Sequence, residues 1–258
     1  MPRLLLLSLP LLAGLAACAP MPRTQASQLS PEEAGALYKT GTTALEAGDA
    51  RAAARALLPA AGAGNVQAEG RLAQMYLAGT GLRRDPDAAR SWAEKAAGKG
   101  DAASMLTLGI IYRQGLGVAP DKGRALKWLR LAERNGQWRA GRYLGLYARE
   151  AGDNDSAAYW FGKAAAKGDT ISQYNLGRAY ETGLGLRRDY GAAREWYGRA
   201  ADQGGATGTA AKVALARLYE HGEGGPKDAA RARDLYTRAA NAGSSEAREA
   251  LARMNATI

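Results

Sequence analysis

Residues 108–118 have the sequence LGIIYRQGLGV, in which Leu108 and Tyr112 lie four residues apart. A small residue, Ser104, lies four residues before the leucine. Positions i−4, i and i+4 share one face of an α-helix, so this spacing predicts a helix with one packed face. The two glycines near the end of the stretch predict a loop after that helix.

This pattern recurs in five copies along the chain. The anchor leucines are Leu72, Leu108, Leu144, Leu176 and Leu215, and they are separated by 36, 36, 32 and 39 residues. A tryptophan follows the leucine by twenty residues in three copies and by sixteen residues in the third copy, which indicates a four-residue deletion there. A fixed period of this length indicates a repeat architecture, and the tryptophans are predicted to pack in its core.

Each copy contains a second predicted helix with its own start and stop signals. An aspartate lies seven residues before the tryptophan position, where its carboxylate can accept hydrogen bonds from the free amides of the first turn. A glycine lies eight residues after that position, where a left-handed backbone ends a helix. The aspartates are Asp85, Asp121, Asp153, Asp189 and Asp228, and the glycines are Gly100, Gly136, Gly168, Gly204 and Gly243.

The same offsets predict further units at both ends of the chain. Asp49 and Gly64 bracket an earlier helix, and residues 30–33, with the sequence SPEE, have the capping residue, proline and acids that favour a helix N-terminus. Leu251 lies eight residues after the last stop glycine and predicts a final half-repeat. The count is six antiparallel helix pairs plus a terminal helix.

The motif Leu-Gly-x-x-Tyr-x-x-Gly-x-Gly, followed by Asp, Ala and Trp at fixed offsets, resembles the Sel-one-like repeat, a relative of the tetratricopeptide repeat. The resemblance covers about residues 34–254 and implies an all-α fold, a right-handed α-solenoid over residues 30–258. Two units without the glycine loop, a missing tryptophan at Ala56, and a three-residue insertion around residues 205–209 depart from the pattern. The family also implies adaptors and scaffolds for protein complexes.

The N-terminus resembles a bacterial lipoprotein signal. Arg3 precedes an apolar stretch that ends in Leu-Ala-Ala-Cys at residues 15–18, the position of a lipobox. The resemblance implies a signal peptide over residues 1–17 and a lipid on Cys18 that anchors the chain to the membrane. Ala19 in place of Asp implies the periplasmic face of the outer membrane. An ordinary secretory peptide cleaved near Ala19 is the alternative. Residues 18–29 lack apolar periodicity and are predicted to form a flexible tether.

Composition excludes several kinds of site. The chain has one histidine, His221, and one cysteine, Cys18, which cannot build a zinc site, a disulfide framework or a CxxC pair. We therefore predict no catalytic, cofactor-binding or metal-binding residues, and we interpret His221 as a solvated side chain at a helix end. The formal net charge of +10 is compatible with acidic partners, but the export signal argues against nucleic acid.

The clearest candidate binding residues are two arginine pairs. The sequence GLRRD occurs at residues 81–85 and again at 185–189, and it places Arg83, Arg84, Arg187 and Arg188 on corresponding loops. Guanidinium groups bind carboxylates in bidentate geometry, which suits an acidic polysaccharide or an acidic protein. Solvated loop arginines without a partner are the alternative interpretation.

These observations predict a lipid-anchored periplasmic scaffold or adaptor that binds other envelope proteins and has no enzymatic activity. Its architecture and anchor resemble exopolysaccharide secretion scaffolds, so exopolysaccharide secretion or envelope assembly is the expected setting. A periplasmic regulator that restrains a membrane sensor kinase is the alternative. A cell-wall hydrolase or a β-lactamase-like enzyme is a third hypothesis, but the sequence offers no catalytic set for it and lacks the disulfides of such family members.

Overall fold

The computed structural model describes residues 29–256, which form thirteen α-helices and no strand. The predicted signal peptide, Cys18 and the tether up to Gln28 lie outside the described residues. The helices are α1 (Pro31–Glu46), α2 (Ala50–Gly62), α3 (Val66–Ala78), α4 (Pro86–Gly98), α5 (Ala102–Gln114), α6 (Lys122–Arg134), α7 (Ala140–Glu150), α8 (Asn154–Ala165), α9 (Thr170–Thr182), α10 (Tyr190–Ala201), α11 (Gly205–His221), α12 (Ala229–Asn241) and α13 (Ser245–Ala256). The predicted six pairs and terminal helix are confirmed.

The predicted start signals cap their helices. Ser30 forms a capping box with Glu33 at the start of α1, in which the Ser30 hydroxyl accepts a hydrogen bond from the Glu33 amide at 3.1 Å. The even-numbered helices start after the predicted aspartates, and each carboxylate accepts a hydrogen bond from the amide three residues later. Asp101 and Asp169 cap the odd-numbered helices α5 and α9 in the same way, which the sequence pattern had not singled out.

In four of the five copies, the predicted stop glycine has the left-handed backbone conformation that ends a helix. Gly100, for example, has φ +93°, a backbone conformation that other residues rarely adopt. The prediction for Gly204 is wrong, because Gly204 has φ −74° and is the N-cap of α11, while Gly205 has φ +80°. The insertion predicted at residues 205–209 lies within α11, which has 17 residues against 13 in α9. The extra residues therefore lengthen a helix and not a loop.

The helices stack in two layers. Each helix packs on its neighbours in the chain, and the stronger contacts between non-neighbours join odd-numbered helices: α3 with α5, α7 with α9, and α9 with α11. In a curved stack, the helices that contact each other across repeats lie on the inner side. The odd-numbered helices therefore form the inner layer, and the even-numbered helices from α2 to α12 form the outer one.

The tryptophans lie at the margin of the core and not at its centre. Trp92, Trp128, Trp160 and Trp196 are half-buried, whereas the residue after each of them is fully enclosed. That next residue is Ala93, Leu129, Phe161 or Tyr197, at 0%, 0%, 2% and 0% exposure. Leu129, Phe161 and Tyr197 each pack against a glycine on the preceding inner helix: a Cβ added at Gly177 would lie 2.8 Å from the Tyr197 ring. The prediction that the tryptophans fill the core is thus only partly right.

Candidate functional site: two grooves on the inner layer

Two open grooves lie on the inner layer, one toward each end of the solenoid. The N-terminal groove measures ≈ 650 Å³ and is formed mainly by α3 and α5. The C-terminal groove measures ≈ 690 Å³ and is formed mainly by α9 and α11, with Glu246 of α13 at its edge. Both volumes fall in the range of about 300–1,000 Å³ that is usual for binding clefts.

The N-terminal groove combines an apolar floor with a basic rim. Its apolar side chains include Leu77, Leu106, Ile110 and Leu116. Its charged residues are three arginines, and its other polar residues are three glutamines and a threonine. They are Arg71, Arg84 and Arg139, and Gln74, Gln114, Gln137 and Thr107. No carboxylate lines this groove, so its charge is not balanced by the groove's own residues.

The three arginines of the N-terminal groove are held by neighbouring groups. The Arg84 Nε donates a hydrogen bond to the Leu77 carbonyl oxygen at 3.1 Å, which fixes the guanidinium at the end of α3. Arg71 donates to the Gln74 side-chain oxygen at 3.3 Å. The Arg139 guanidinium lies 4.7 Å from the centre of the Trp138 ring, in a cation–π contact. These contacts use part of each guanidinium and leave donors for a ligand.

The C-terminal groove is organised around Glu181. Its carboxylate accepts a hydrogen bond from the Tyr197 hydroxyl at 2.5 Å and another from Arg217 at 2.6 Å. Burial and the hydrogen bond to Glu181 raise the pKa of Tyr197 above its ordinary value of 10.0, since both favour the neutral phenol. Glu223 and Glu246 also line this groove, so its cations, Arg178 and Arg217, face carboxylates of the same protein.

The two grooves differ at equivalent positions of the repeat. Glu181 lies five residues after its anchor leucine, and Leu77 occupies that position in the N-terminal groove. Tyr197 follows the tryptophan of its copy, and Ala93 occupies that position in the first copy. The same pairing occurs in the last copy, where the Tyr236 hydroxyl donates to Glu220 at 2.8 Å. In both of these copies, a buried tyrosine at the position after the tryptophan site donates to a glutamate five residues after the anchor leucine.

The structure does not place the four predicted arginines in one groove. All four are exposed, and of the four only Arg84 lines the N-terminal groove. The Arg188 guanidinium lies 5.5 Å from the centre of the Tyr190 ring, and Tyr190 lines the C-terminal groove. Arg83 and Arg187 project from the loops between helices of a pair. Binding by these arginines therefore stays a prediction, while Arg71 and Arg139 are groove residues that sequence reasoning missed.

The remaining residues offer no second kind of site within residues 29–256. No group of three or more potential metal ligands comes together in that range. His221 is exposed at the end of α11 and lines the C-terminal groove. Across the same residues, no helix combines the length and apolar character that crossing a membrane requires.

Comparisons with known proteins agree with this architecture. The chain is similar to the crystal structure of a protective antigen of uropathogenic Escherichia coli with an SLR fold, at 30% identity and a TM-score of 0.76, over 90% of this chain and 51% of that one. It is also similar to a Sel1 repeat protein from Oxalobacter formigenes, at 28% identity and a TM-score of 0.72, over 83% of this chain and 86% of that one. The chain thus spans about half the length of the E. coli antigen. A comparison with curated proteins gave no match.

The repeat itself is matched directly. A family model described as the Sel1 repeat matches residues 66–101, 102–137, 134–169, 170–205 and 209–244. The overlap of the second and third matches falls at the copy that the sequence shows to be four residues short. Sel1 repeats are protein-interaction modules that generally build scaffolds. With five matched copies over most of its length, the chain belongs to the Sel1 repeat family.

Proposed function

We propose that this protein is a scaffold that binds other envelope proteins through the two grooves of its inner layer and catalyses no reaction itself. The observation that carries the proposal is the pair of open grooves on one face of the solenoid, each lined by side chains from two successive inner helices. Because each inner helix packs on its neighbours, the grooves have a defined shape before a partner arrives. Binding to a preformed surface costs less conformational entropy.

The proposal also includes an anchor and a setting. Lipid on Cys18 would hold the scaffold at the periplasmic face of the outer membrane, where exopolysaccharide secretion or envelope assembly brings several proteins together. The lipobox-like sequence at residues 15–18 supports this part. The variant Cys18→Ser is expected to lose labelling by a fatty-acid probe and to leave the membrane pellet. Labelling that persists in this variant would disprove the anchor without affecting the scaffold.

The scaffold proposal is tested by photo-crosslinking in the source cells. A photoreactive amino acid replaces Gln74 in the N-terminal groove or Arg178 in the C-terminal groove, both exposed side chains. The matched control replaces Lys127, an exposed residue of the outer helix α6. We expect specific protein adducts from one or both grooves and none from the control position. Equal adducts at Lys127, or none from either groove, would overturn the proposal.

The identity of the crosslinked partner separates the scaffold from the alternative regulator. Mass spectrometry of the adducts is expected to identify envelope assembly or polymer-export proteins if the chain is a scaffold. A sensor kinase as the single recurrent adduct would favour the regulator. A small substrate consumed by the purified protein would return the enzyme hypothesis to consideration.

A further inference from the structure

We propose that the N-terminal groove binds an acidic peptide segment of a partner protein, with apolar side chains on the groove floor and carboxylates on its arginine rim. This inference rests on the proposed function, because it specifies the partner chemistry at one of the two grooves. It depends on the charge of the rim, the composition of the floor and the contrast with the C-terminal groove.

The rim has one sign of charge. Arg71, Arg84 and Arg139 line the groove, and its other polar residues are neutral. The C-terminal groove has a similar size, but Glu181, Glu223 and Glu246 face its two arginines. A cleft lined by one sign of charge attracts ligands of the opposite sign, whereas a compensated cleft does not. The N-terminal groove is therefore the one that favours a carboxylate-bearing ligand.

Arg84 is oriented before any ligand arrives. Its Nε donates to the Leu77 carbonyl oxygen at 3.1 Å, so this nitrogen is occupied and the side chain is held against the end of α3. Its two terminal nitrogens make no hydrogen bond or ion pair with residues 29–256. A guanidinium that is already positioned loses less side-chain entropy when it binds a carboxylate. This arginine belongs to the first of the two repeated arginine pairs.

The floor selects a peptide over a polysaccharide. Leu77, Leu106, Ile110 and Leu116 supply aliphatic surface, and no aromatic side chain lines the groove. A sugar polymer carries hydroxyl groups along its length, and burying them on an aliphatic floor would leave them without hydrogen-bond partners. An acidic peptide can place Leu-like side chains on the floor and Asp or Glu at the rim. The groove thus fits an amphipathic acidic segment.

The experiment starts from a library that covers the whole ligand class. Phage-displayed random 12-residue peptides are selected on the purified full-length protein, and the most enriched sequence is synthesised with a fluorescein label. Fluorescence polarisation then gives its dissociation constant over a range of NaCl concentrations. We expect enriched peptides with an excess of Asp and Glu and at least two large aliphatic residues. We also expect affinity that falls as salt rises, because screening weakens the attraction.

Matched variants locate the binding surface. The triple variant R71Q/R84Q/R139Q is expected to weaken peptide binding at least tenfold and to flatten the salt dependence. The control R178Q/R187Q/R188Q removes the same number of charges from exposed arginines outside the N-terminal groove. It is expected to change the dissociation constant less than twofold. Ile110→Gln, which changes the floor alone, is expected to weaken binding at least fivefold, with an unchanged circular dichroism spectrum and melting temperature as the folding check.

Several outcomes would overturn the inference. It is wrong if no acidic peptides are enriched, or if the control triple variant weakens binding as much as the groove variant. It is also wrong if polygalacturonate, an acidic polymer without apolar side chains, binds the groove as tightly as the peptide does, which would assign the groove to an acidic polysaccharide. If these tests fail while a photoreactive residue at position 178 still captures a partner, the scaffold function stands and only this inference falls.

Discussion

The N-terminal and C-terminal grooves are built from equivalent helices, yet they differ in how their polar groups are used. In the C-terminal groove, Glu181 is shared between Tyr197 and Arg217. In the N-terminal groove, the equivalent position is Leu77, and no carboxylate lines the groove with the arginines of the rim. One groove therefore uses its charges to hold the repeats together, and the other leaves its charges for a partner.

The difference has its origin in one buried position. Tyr197 follows the tryptophan of its copy and is fully buried, so its hydroxyl needs an acceptor. Ala93, at the same position in the first copy, is buried in the same apolar cluster as Ala73 of the preceding inner helix and has no polar atom in its side chain to satisfy. The acceptor position is consequently free to be apolar in the N-terminal groove. The residue type at this buried position thus determines the chemistry of the groove above it.

The largest expected effect is on the stability of the C-terminal groove. Tyr197→Ala removes a fully buried ring that packs on Gly177, and we expect the free energy of unfolding to fall by about 3–5 kcal/mol. Chemical denaturation measures this loss. The control Tyr159→Ala removes a tyrosine that is 57% exposed, and its cost is expected to be far smaller. Equal losses for the two variants would contradict the role of Tyr197 as the core of this groove.

A double-mutant cycle tests whether Glu181 acts through Tyr197. Glu181→Leu places the N-terminal residue type in the C-terminal groove and leaves the buried Tyr197 hydroxyl without its acceptor, at an expected cost of about 1–3 kcal/mol. The same change in a Tyr197→Phe background should cost less, with a coupling free energy of about 1 kcal/mol or more. Urea denaturation of the four proteins gives the cycle.

Glu223→Leu is the matched control for that cycle. Glu223 lines the same groove and makes no side-chain hydrogen bond or ion pair among the described residues, so its replacement should shift the free energy of unfolding by less than about 0.5 kcal/mol. Additive effects of Glu181→Leu and Tyr197→Phe would mean that the two side chains do not depend on each other. The contrast between the grooves would then rest on charge alone.

The pH dependence of stability provides a smaller effect of the same origin. Burial and the hydrogen bonds to Glu181 and Glu220 raise the pKa values of Tyr197 and Tyr236 above 10.0 in the folded protein. The unfolded chain releases these protons first as the pH rises, so stability falls above about pH 10, by at most about 1.4 kcal/mol per pH unit for each tyrosine. The double variant Y197F/Y236F should show a shallower decline. Parallel declines in parent and variant would contradict the assignment.

The smallest expected effect on stability comes from the loop arginines. Replacing Arg83, Arg84, Arg187 and Arg188 with Gln should change the free energy of unfolding by less than about 0.5 kcal/mol, because all four are exposed. Capture of the partner, and the dependence of its affinity on salt, should decrease if the loops contribute to binding. Unchanged affinity and salt dependence would show that these arginines only solvate the surface.

The variants Arg83→Gln/Arg84→Gln and Arg187→Gln/Arg188→Gln separate the two loops. Since Arg84 lines the N-terminal groove and the other three do not, the first pair should account for most of any loss of affinity for an acidic peptide. An equal contribution from the second pair would contradict binding in the N-terminal groove, because neither Arg187 nor Arg188 lines it.

The repeat positions in the sequence determine most of the fold. The aspartates that start the even-numbered helices, the paired helices and the terminal helix α13 follow from local chemistry and a fixed period, because a helix cap needs only the residues next to it. The error at Gly204 has the same origin: a glycine at the expected offset does not reveal which of two adjacent glycines takes the left-handed conformation. The sequence also contains the pairing of Tyr197 with Glu181 and of Tyr236 with Glu220, which internal comparison of the copies could have found.

The tertiary structure decided which side chains meet across repeats. Arg71 and Arg139 lie far apart in the chain, and nothing in the local sequence of either residue places them in one groove with Arg84. The repeat pattern also could not predict that Trp128 is half-buried while Leu129 is fully buried. Both residues recur with the same period, and they differ only in the direction in which each side chain points from its helix. Periodicity alone determines the helices and their order. Groove chemistry depends on the angle at which successive repeats stack, and long-range packing sets that angle.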